Sequence, residues 1–195
     1  MNFQYLDHLP TIPLNLVKDI VDIASGVTPS NYTNLYYGRS VKPNINIVPS
    51  DSLGHPMNTF YNHFKKTVHI DFLDASNLLR DWILENILPK PDFVSIQSMT
   101  GWHTLIPHVD VGRATAYNYI ISGAGADLCF WKPIDKFRNL KAYPQTIFTY
   151  EMLELDEKIC PELNRWHSLD VTKIHSVENI NTSRVSLSLS YTGIQ

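Results

Sequence analysis

Between Asp92 and Tyr191 the chain is cut into eight short β-rich runs, and this rhythm constrains its fold more than any other feature. The runs are Phe93 to Met99, Thr104 to Val109, Arg113 to Ser122, Asp127 to Trp131, Gln145 to Tyr150, Trp166 to Val171, Ile174 to Val177 and Arg184 to Tyr191. Many short strands broken by turn residues suggest a sandwich or a barrel. In the last run Arg184, Ser186, Ser188 and Ser190 alternate with Val185, Leu187, Leu189 and Tyr191, so on an extended backbone the two sets face opposite ways. One face is apolar and needs a cover; the other is polar.

The cover is found upstream. Leu14 to Ala24 has helical spacing, with Val17, Ile20, Val21 and Ala24 expected on the packing face, and it stops at Gly26. Asp74 to Leu88 repeats the pattern with Leu78, Leu79, Trp82, Ile83 and Ile87, ending before Pro89 and Pro91. Residues 27 to 73 are rich in Pro, Asn and aromatics and read as loops and short strands. These helices are expected to cover the Val185/Leu187/Leu189 face, leaving Arg184 and the serines inside a cleft. The expected class is mainly β with supporting helices, in a single domain over 1–195. Residues 1–91 form the helical and loop support and 92–191 the β core.

With 44% hydrophobic and 18% charged residues, the chain can bury a core and is not a disordered polyelectrolyte. No apolar run approaches the roughly 20 residues that span a bilayer, and the first residues carry neither a basic segment nor an apolar signal core. A cytoplasmic location with no membrane attachment is the expectation. A net charge of -3 gives no footprint for a phosphate-dominated nucleic-acid binder. The two cysteines, Cys129 and Cys160, support neither a disulfide framework nor a zinc knuckle. Eight histidines remain the unusual part, because imidazole carries protons and ligates metals.

Two His-x-Asp motifs occur. His69-Ile70-Asp71 runs towards the second helix, where Asp71 reads as a turn or capping residue, whereas His108-Val109-Asp110 sits among the strands. On a strand, residues two apart share a side, so His108 and Asp110 offer two ligands from one element. His175, on a distant run, is the candidate third. Two histidines and a carboxylate with open positions suit non-haem Fe(II). Arg184 and Ser186 share a strand face further on, which suits a carboxylate held by paired hydrogen bonds. Taken singly, His8, His55, His63, His103 and His167 read as structural.

In these positions the chain resembles the Fe(II)- and 2-oxoglutarate-dependent oxygenases, whose core is a double-stranded β-helix, a cupin-like jelly roll. The resemblance covers about Asp92 to Tyr191. It rests on His108-x-Asp110, His175 and Arg184-x-Ser186. It implies that His108, Asp110 and His175 are the catalytic iron ligands and that Arg184, with Ser186, binds the far carboxylate of 2-oxoglutarate. Gly101 to His108 is similar to the aspartyl/asparaginyl hydroxylase branch, and His108 to Arg113 to prolyl-hydroxylase-like members. The chain has Gly123-Ala-Gly125 where many of the latter have paired glycines.

The reaction implied is oxidation of a substrate by dioxygen, with 2-oxoglutarate converted to succinate and carbon dioxide. Ser95 and Gln97 share one strand face and Tyr117 and Tyr119 another; from these, Gln97 and Tyr119 are the expected second contacts to 2-oxoglutarate. Trp102, His103, Arg113, Trp131 and Trp166 flank strand ends as candidate substrate contacts, with core burial the competing role for the tryptophans. A protein side chain or small amino-acid-like substrate fits the charge balance better than nucleic acid. Two rivals stay open: another cupin-type metal enzyme using the same triad, and a non-catalytic jelly-roll binding or structural module.

Overall fold

The computed structural model describes residues 1–26, 69–100, 103–110, 113–135 and 148–192; for 69–74, Thr100 and His103 it describes the backbone only. Trp102 and most of the 27–73 region therefore lie outside the described residues. Ten strands and two α-helices are found among those described: β1 Phe3–Tyr5, α1 Leu14–Ala24, β2 His69–Asp74, α2 Asn77–Asn86, β3 Phe93–Thr100, β4 His103–His108, β5 Thr115–Ser122, β6 Asp127–Pro133, β7 Leu153–Ile159, β8 Trp166–Asp170, β9 Ile174–Ile180 and β10 Arg184–Tyr191.

Pairing is nested. β6 pairs with β7, β5 with β8, β4 with β9 and β3 with β10, all antiparallel. The segment from β3 to β10 is thus one long hairpin folded back at β6–β7. Two further ladders, β5 with β10 and β6 with β9, wind that hairpin into two sheets. One sheet has the order β1-β8-β5-β10-β3-β2 and the other β4-β9-β6-β7. A hairpin wound so that successive pairs fall in alternate sheets is a double-stranded β-helix, an eight-strand jelly roll. The mainly β fold class read from the sequence is the one observed.

The alternation in β10 divides the core. Val185, Leu187 and Leu189 join Leu16, Ile20 and Ile23 of α1 and Leu79 and Ile83 of α2 in one apolar cluster outside the larger sheet. Leu187 and Leu189 are fully buried, worth roughly 1.5–3 kcal/mol each relative to exposure. A second cluster, including Met99, Leu105, Ala116, Leu128, Phe130, Leu169 and Val177, fills the space between the sheets. Arg184 and the three serines are buried on that inner side.

Several local expectations need correction. α1 has the expected bounds, but it is turned so that Leu16, Ile20 and Ile23 are buried while Val21 is 39% exposed. The second helix begins at Asn77, because Ser76 caps it by accepting from the Leu79 amide at 3.2 Å. Its Leu78 lies on the solvent side. His69 to Asp74 is neither a capping turn nor a helix start; it is a strand paired with β3. The first half of the expected Gln145 to Tyr150 strand lies outside the described residues; in the second half Phe148 and Thr149 are not strand, and Tyr150 opens a 3-10 turn to Met152. The fifth jelly-roll strand is β7, whose Leu-Glu-Leu-Asp-Glu-Lys-Ile sequence reads as polar because it lies at a sheet edge, where charge blocks further pairing.

Candidate metal centre

The nested pairing brings the ligand candidates together. His108 ends β4 and His175 lies near the start of β9, and the two are register partners across that ladder. Their ring centroids are 4.4 Å apart. Asp110 follows β4 on a loop anchored by its own amide, which donates to the Val171 carbonyl at 3.0 Å. His108 Nε2 is 3.6 Å from Asp110 Oδ1, and His175 Nε2 is 4.0 Å from Asp110 Oδ2. One donor atom from each of the three residues lies within 4.8 Å of the others. The three side chains can hold a metal ion.

The imidazoles are prepared for this in the same way. His108 Nδ1 lies 2.8 Å from the Ile106 carbonyl and His175 Nδ1 2.9 Å from the Lys173 carbonyl. A carbonyl only accepts, so each Nδ1 carries the proton and donates, and each Nε2 keeps its lone pair directed at the cluster. Burial, followed by the neighbouring His175, lowers His108 to about 4, which keeps the ring neutral. Burial pushes the Asp110 carboxyl up, yet Arg113 and the two imidazoles outweigh it and hold the group down at about 2. A neutral His108 and an ionised Asp110 are the charge states in which these groups ligate a divalent cation.

The inner face of the larger sheet continues the polar lining. Arg113 Nε donates to Asp110 Oδ2 at 2.7 Å, and its NH1 reaches Ser190 Oγ at 3.1 Å and Ser188 Oγ at 3.4 Å. Arg113, expected as a substrate contact, therefore serves the ligand loop. Ser186 and Arg184 follow on the same face of β10, with Arg184 about 13 Å along the strand from Ser188 at ~3.3 Å per residue. Arg184 is buried, and among the described residues its hydrogen-bond partner is the Met99 sulfur, at 3.7 Å. Burial lowers its guanidinium to about 10, still charged at neutral pH. Among the described residues, Ser186 Oγ is buried without a hydrogen-bond partner, and so is Asn118 Oδ1.

Register separates the two expected cosubstrate contacts. Gln97 is the cross-strand partner of Ser186, so it shares the inner face and is buried there. Tyr119 opposes Leu187 and belongs to the helix-side core, with its ring 5.0 Å from Trp166. It points away from the cleft, which removes it as a cosubstrate contact. Trp166 is also core, its Nε1 donating to the Pro10 carbonyl at 2.9 Å. Trp131 donates to Ser176 Oγ at 2.8 Å. The neighbours that sequence reading passed over are Asn118, opposite Ser188, and His167, opposite Asn118. His167 is lowered to about 3 by burial and then by the Arg184 charge, so it stays neutral.

Gly123 shapes the Arg184 end of the cleft. It has φ +86, and a Cβ placed there would lie 2.6 Å from Arg184 Cβ and 2.7 Å from Arg184 Cα. Gly123→Ala is expected to cost about 2–4 kcal/mol of stability, from the left-handed backbone and the forced shift of β10 together. Urea unfolding measures it; a change within 0.5 kcal/mol, the usual scatter of neutral surface substitutions, would show that β10 gives way freely.

No known protein family matches the chain, and no curated protein does. Among solved structures it is similar to a vicilin from Solanum melongena, at 8% identity and TM-score 0.39, over 65% of this chain and 29% of that one. It is also similar to the hydroquinone 1,2-dioxygenase from Sphingomonas sp. TTNP3 with 4-hydroxybenzoate bound, at 11% identity and TM-score 0.35, over 50% of this chain and 58% of that one. The chain thus spans less than two thirds of either relative. Likeness at this level assigns nothing, and the fold rests on the strand order above.

Proposed function

We propose that the protein is an Fe(II)- and 2-oxoglutarate-dependent oxygenase that hydroxylates a protein side chain or a small amino-acid-like substrate. The observation that carries this reading is Arg184. A buried guanidinium facing a methionine sulfur, on the sheet face that leads to a His-Asp-His set, is a charge without an anion among the described residues. The unpartnered Ser186 Oγ beside it and the buried Gln97 across from it fit one carboxylate group.

In this reading His108 and His175 present Nε2 and Asp110 one carboxylate oxygen to iron, while Arg184, Ser186 and Gln97 hold the far end of the cosubstrate. Iron and 2-oxoglutarate, when bound, supply the activation of dioxygen and the oxidation of a substrate C–H bond, yielding succinate and carbon dioxide. The chain's own part is to fix the ligands, neutralise the diacid and keep water out with the apolar residues between the sheets. A net charge of -3 favours a non-nucleic substrate. No helix among the described residues is long and apolar enough to cross a membrane.

The test is anaerobic calorimetry of 2-oxoglutarate into Mn(II)-loaded protein, followed by aerobic succinate release in the presence of Fe(II) and peptide, amino-acid or nucleotide pools. Saturable cosubstrate binding that disappears with a chelator, and succinate formed with one of the first two pools, is the expected result. Metal binding without any response to 2-oxoglutarate would leave a metal enzyme of another kind.

A further inference from the structure

Arg113 lies three residues beyond Asp110, yet its guanidinium is fixed from the opposite sheet. Its Nε donates to Asp110 Oδ2 at 2.7 Å, while NH1 is held by Ser190 Oγ at 3.1 Å and Ser188 Oγ at 3.4 Å. Both serines are buried in β10, a central strand of the larger sheet. The Arg113–Asp110 contact is therefore set by the sheet scaffold rather than by the loop that carries Asp110. The two carboxylate oxygens are not equivalent. Both face an imidazole, Oδ1 at 3.6 Å from His108 Nε2 and Oδ2 at 4.0 Å from His175 Nε2, but Oδ2 alone also accepts the short charge-assisted bond from Arg113.

A carboxylate can meet a cation with one oxygen or with two, and two-oxygen ligation consumes an extra coordination position. An oxygen already engaged by a guanidinium has part of its electron density and its open side taken up. We infer that Arg113 is a positioning residue that reserves Asp110 Oδ2 and confines the carboxylate to single-oxygen ligation through Oδ1. The inference rests on the metal-binding reading proposed above and adds the rule that sets its coordination number. Its benefit to a cosubstrate enzyme is direct: three protein donor atoms on a six-coordinate ion leave about three positions for everything else, and a fourth donor atom would leave about two.

Substitution separates the hydrogen bond from the charge. Gln places Nε2 the same number of bonds from Cα as Arg places Nε, so Arg113→Gln keeps a donor to Asp110 Oδ2 while losing the charge and the serine contacts. Arg113→Met keeps length and loses every donor. The readout is water-proton relaxation of the Mn(II)-loaded full chain without cosubstrate, which reports inner-sphere waters independently of turnover. Wild type and Arg113→Gln are expected to show equal hydration, and Arg113→Met a fall of about a third as the carboxylate closes on the ion with both oxygens. Equal hydration in wild type and Arg113→Met overturns the inference, as does an Arg113→Gln value as low as that of Arg113→Met. Wild type alone is also decisive: about two inner-sphere waters instead of about three means that both oxygens already ligate, whatever the folding of the variants. A wild type that binds no Mn(II) fails earlier and overturns the metal reading itself.

Discussion

Asp110→Ala is expected to abolish turnover and to weaken Mn(II) binding by more than ~100-fold, because even partners that only orient metal ligands cost 10–100-fold when removed. The substitution deletes the anionic member of a set whose other members are imidazoles oriented by their Nδ1 bonds to backbone carbonyls. It also leaves the Arg113 charge beside the site without its carboxylate, adding repulsion to the loss of a ligand. His69→Ala is the control. His69 belongs to β2, at the far edge of the larger sheet, whereas His108 and His175 come from β4 and β9 of the other sheet. Equilibrium dialysis with Mn(II) should find it unchanged. Equal loss in the two variants would mean that the wrong His-x-Asp motif has been assigned to the metal.

Arg184→Met is expected to lower 2-oxoglutarate affinity by about 10- to 100-fold while leaving Mn(II) affinity unchanged. Charge-assisted hydrogen bonds contribute roughly 1.5–3 kcal/mol each, and 1.4 kcal/mol is tenfold. Stability should move the other way. Arg184 is a buried charge with no carboxylate partner among the described residues, and replacing such a group with an apolar side chain of similar length is neutral or stabilising. A variant that melts no lower than wild type yet has lost the diacid identifies a residue kept for binding rather than for folding. Ser186→Ala should cost less, since it removes one neutral donor and leaves the cation. Arg184→Lys should restore only part of the affinity, because an ammonium lacks the planar fork. Calorimetry on the anaerobic Mn(II) form reads all four proteins, and undiminished binding by Arg184→Met would sink the assignment.

Much of this was legible because β10 is amphipathic at period two. Its alternation predicts both the helix-covered face and the cleft face, and the structure buries Leu187 and Leu189 under α1 and α2 as that pattern requires. The ligand candidates were legible only in part: both His-x-Asp motifs begin on strands, His69 on β2 and His108 on β4, and what separates them is the sheet each strand joins, which the sequence does not state. Tyr119 was misread because periodicity in β5 says which residues share a face but not which face is inward. Only the register with β10, Tyr119 opposite Leu187 and Asn118 opposite Ser188, decides that. The bulge between Val185 and Ser186 is equally silent in the sequence. β7 was missed because its alternation places acidic residues on an exposed edge, where composition resembles a loop. Arg113 carried a signal, its spacing from Asp110, but the serines that fix it come from a strand far along the chain.

The nested pairing has a consequence for how the protein reaches its native state. Within the jelly roll β6 and β7 form the innermost pair, and each successive pair, β5 with β8, then β4 with β9, then β3 with β10, must close a longer stretch of chain. Loop closure grows costlier only slowly with length, but each outer ladder gains most once the inner ones give it a neighbour. Such non-local topologies fold slowly, on the millisecond-to-second scale. His108 and His175 sit opposite one another on the third pair of this sequence. A cation held between them would act as a clasp on an almost finished winding, absent from the early collapsed chain. Its stabilising effect would then appear in slower unfolding far more than in faster folding.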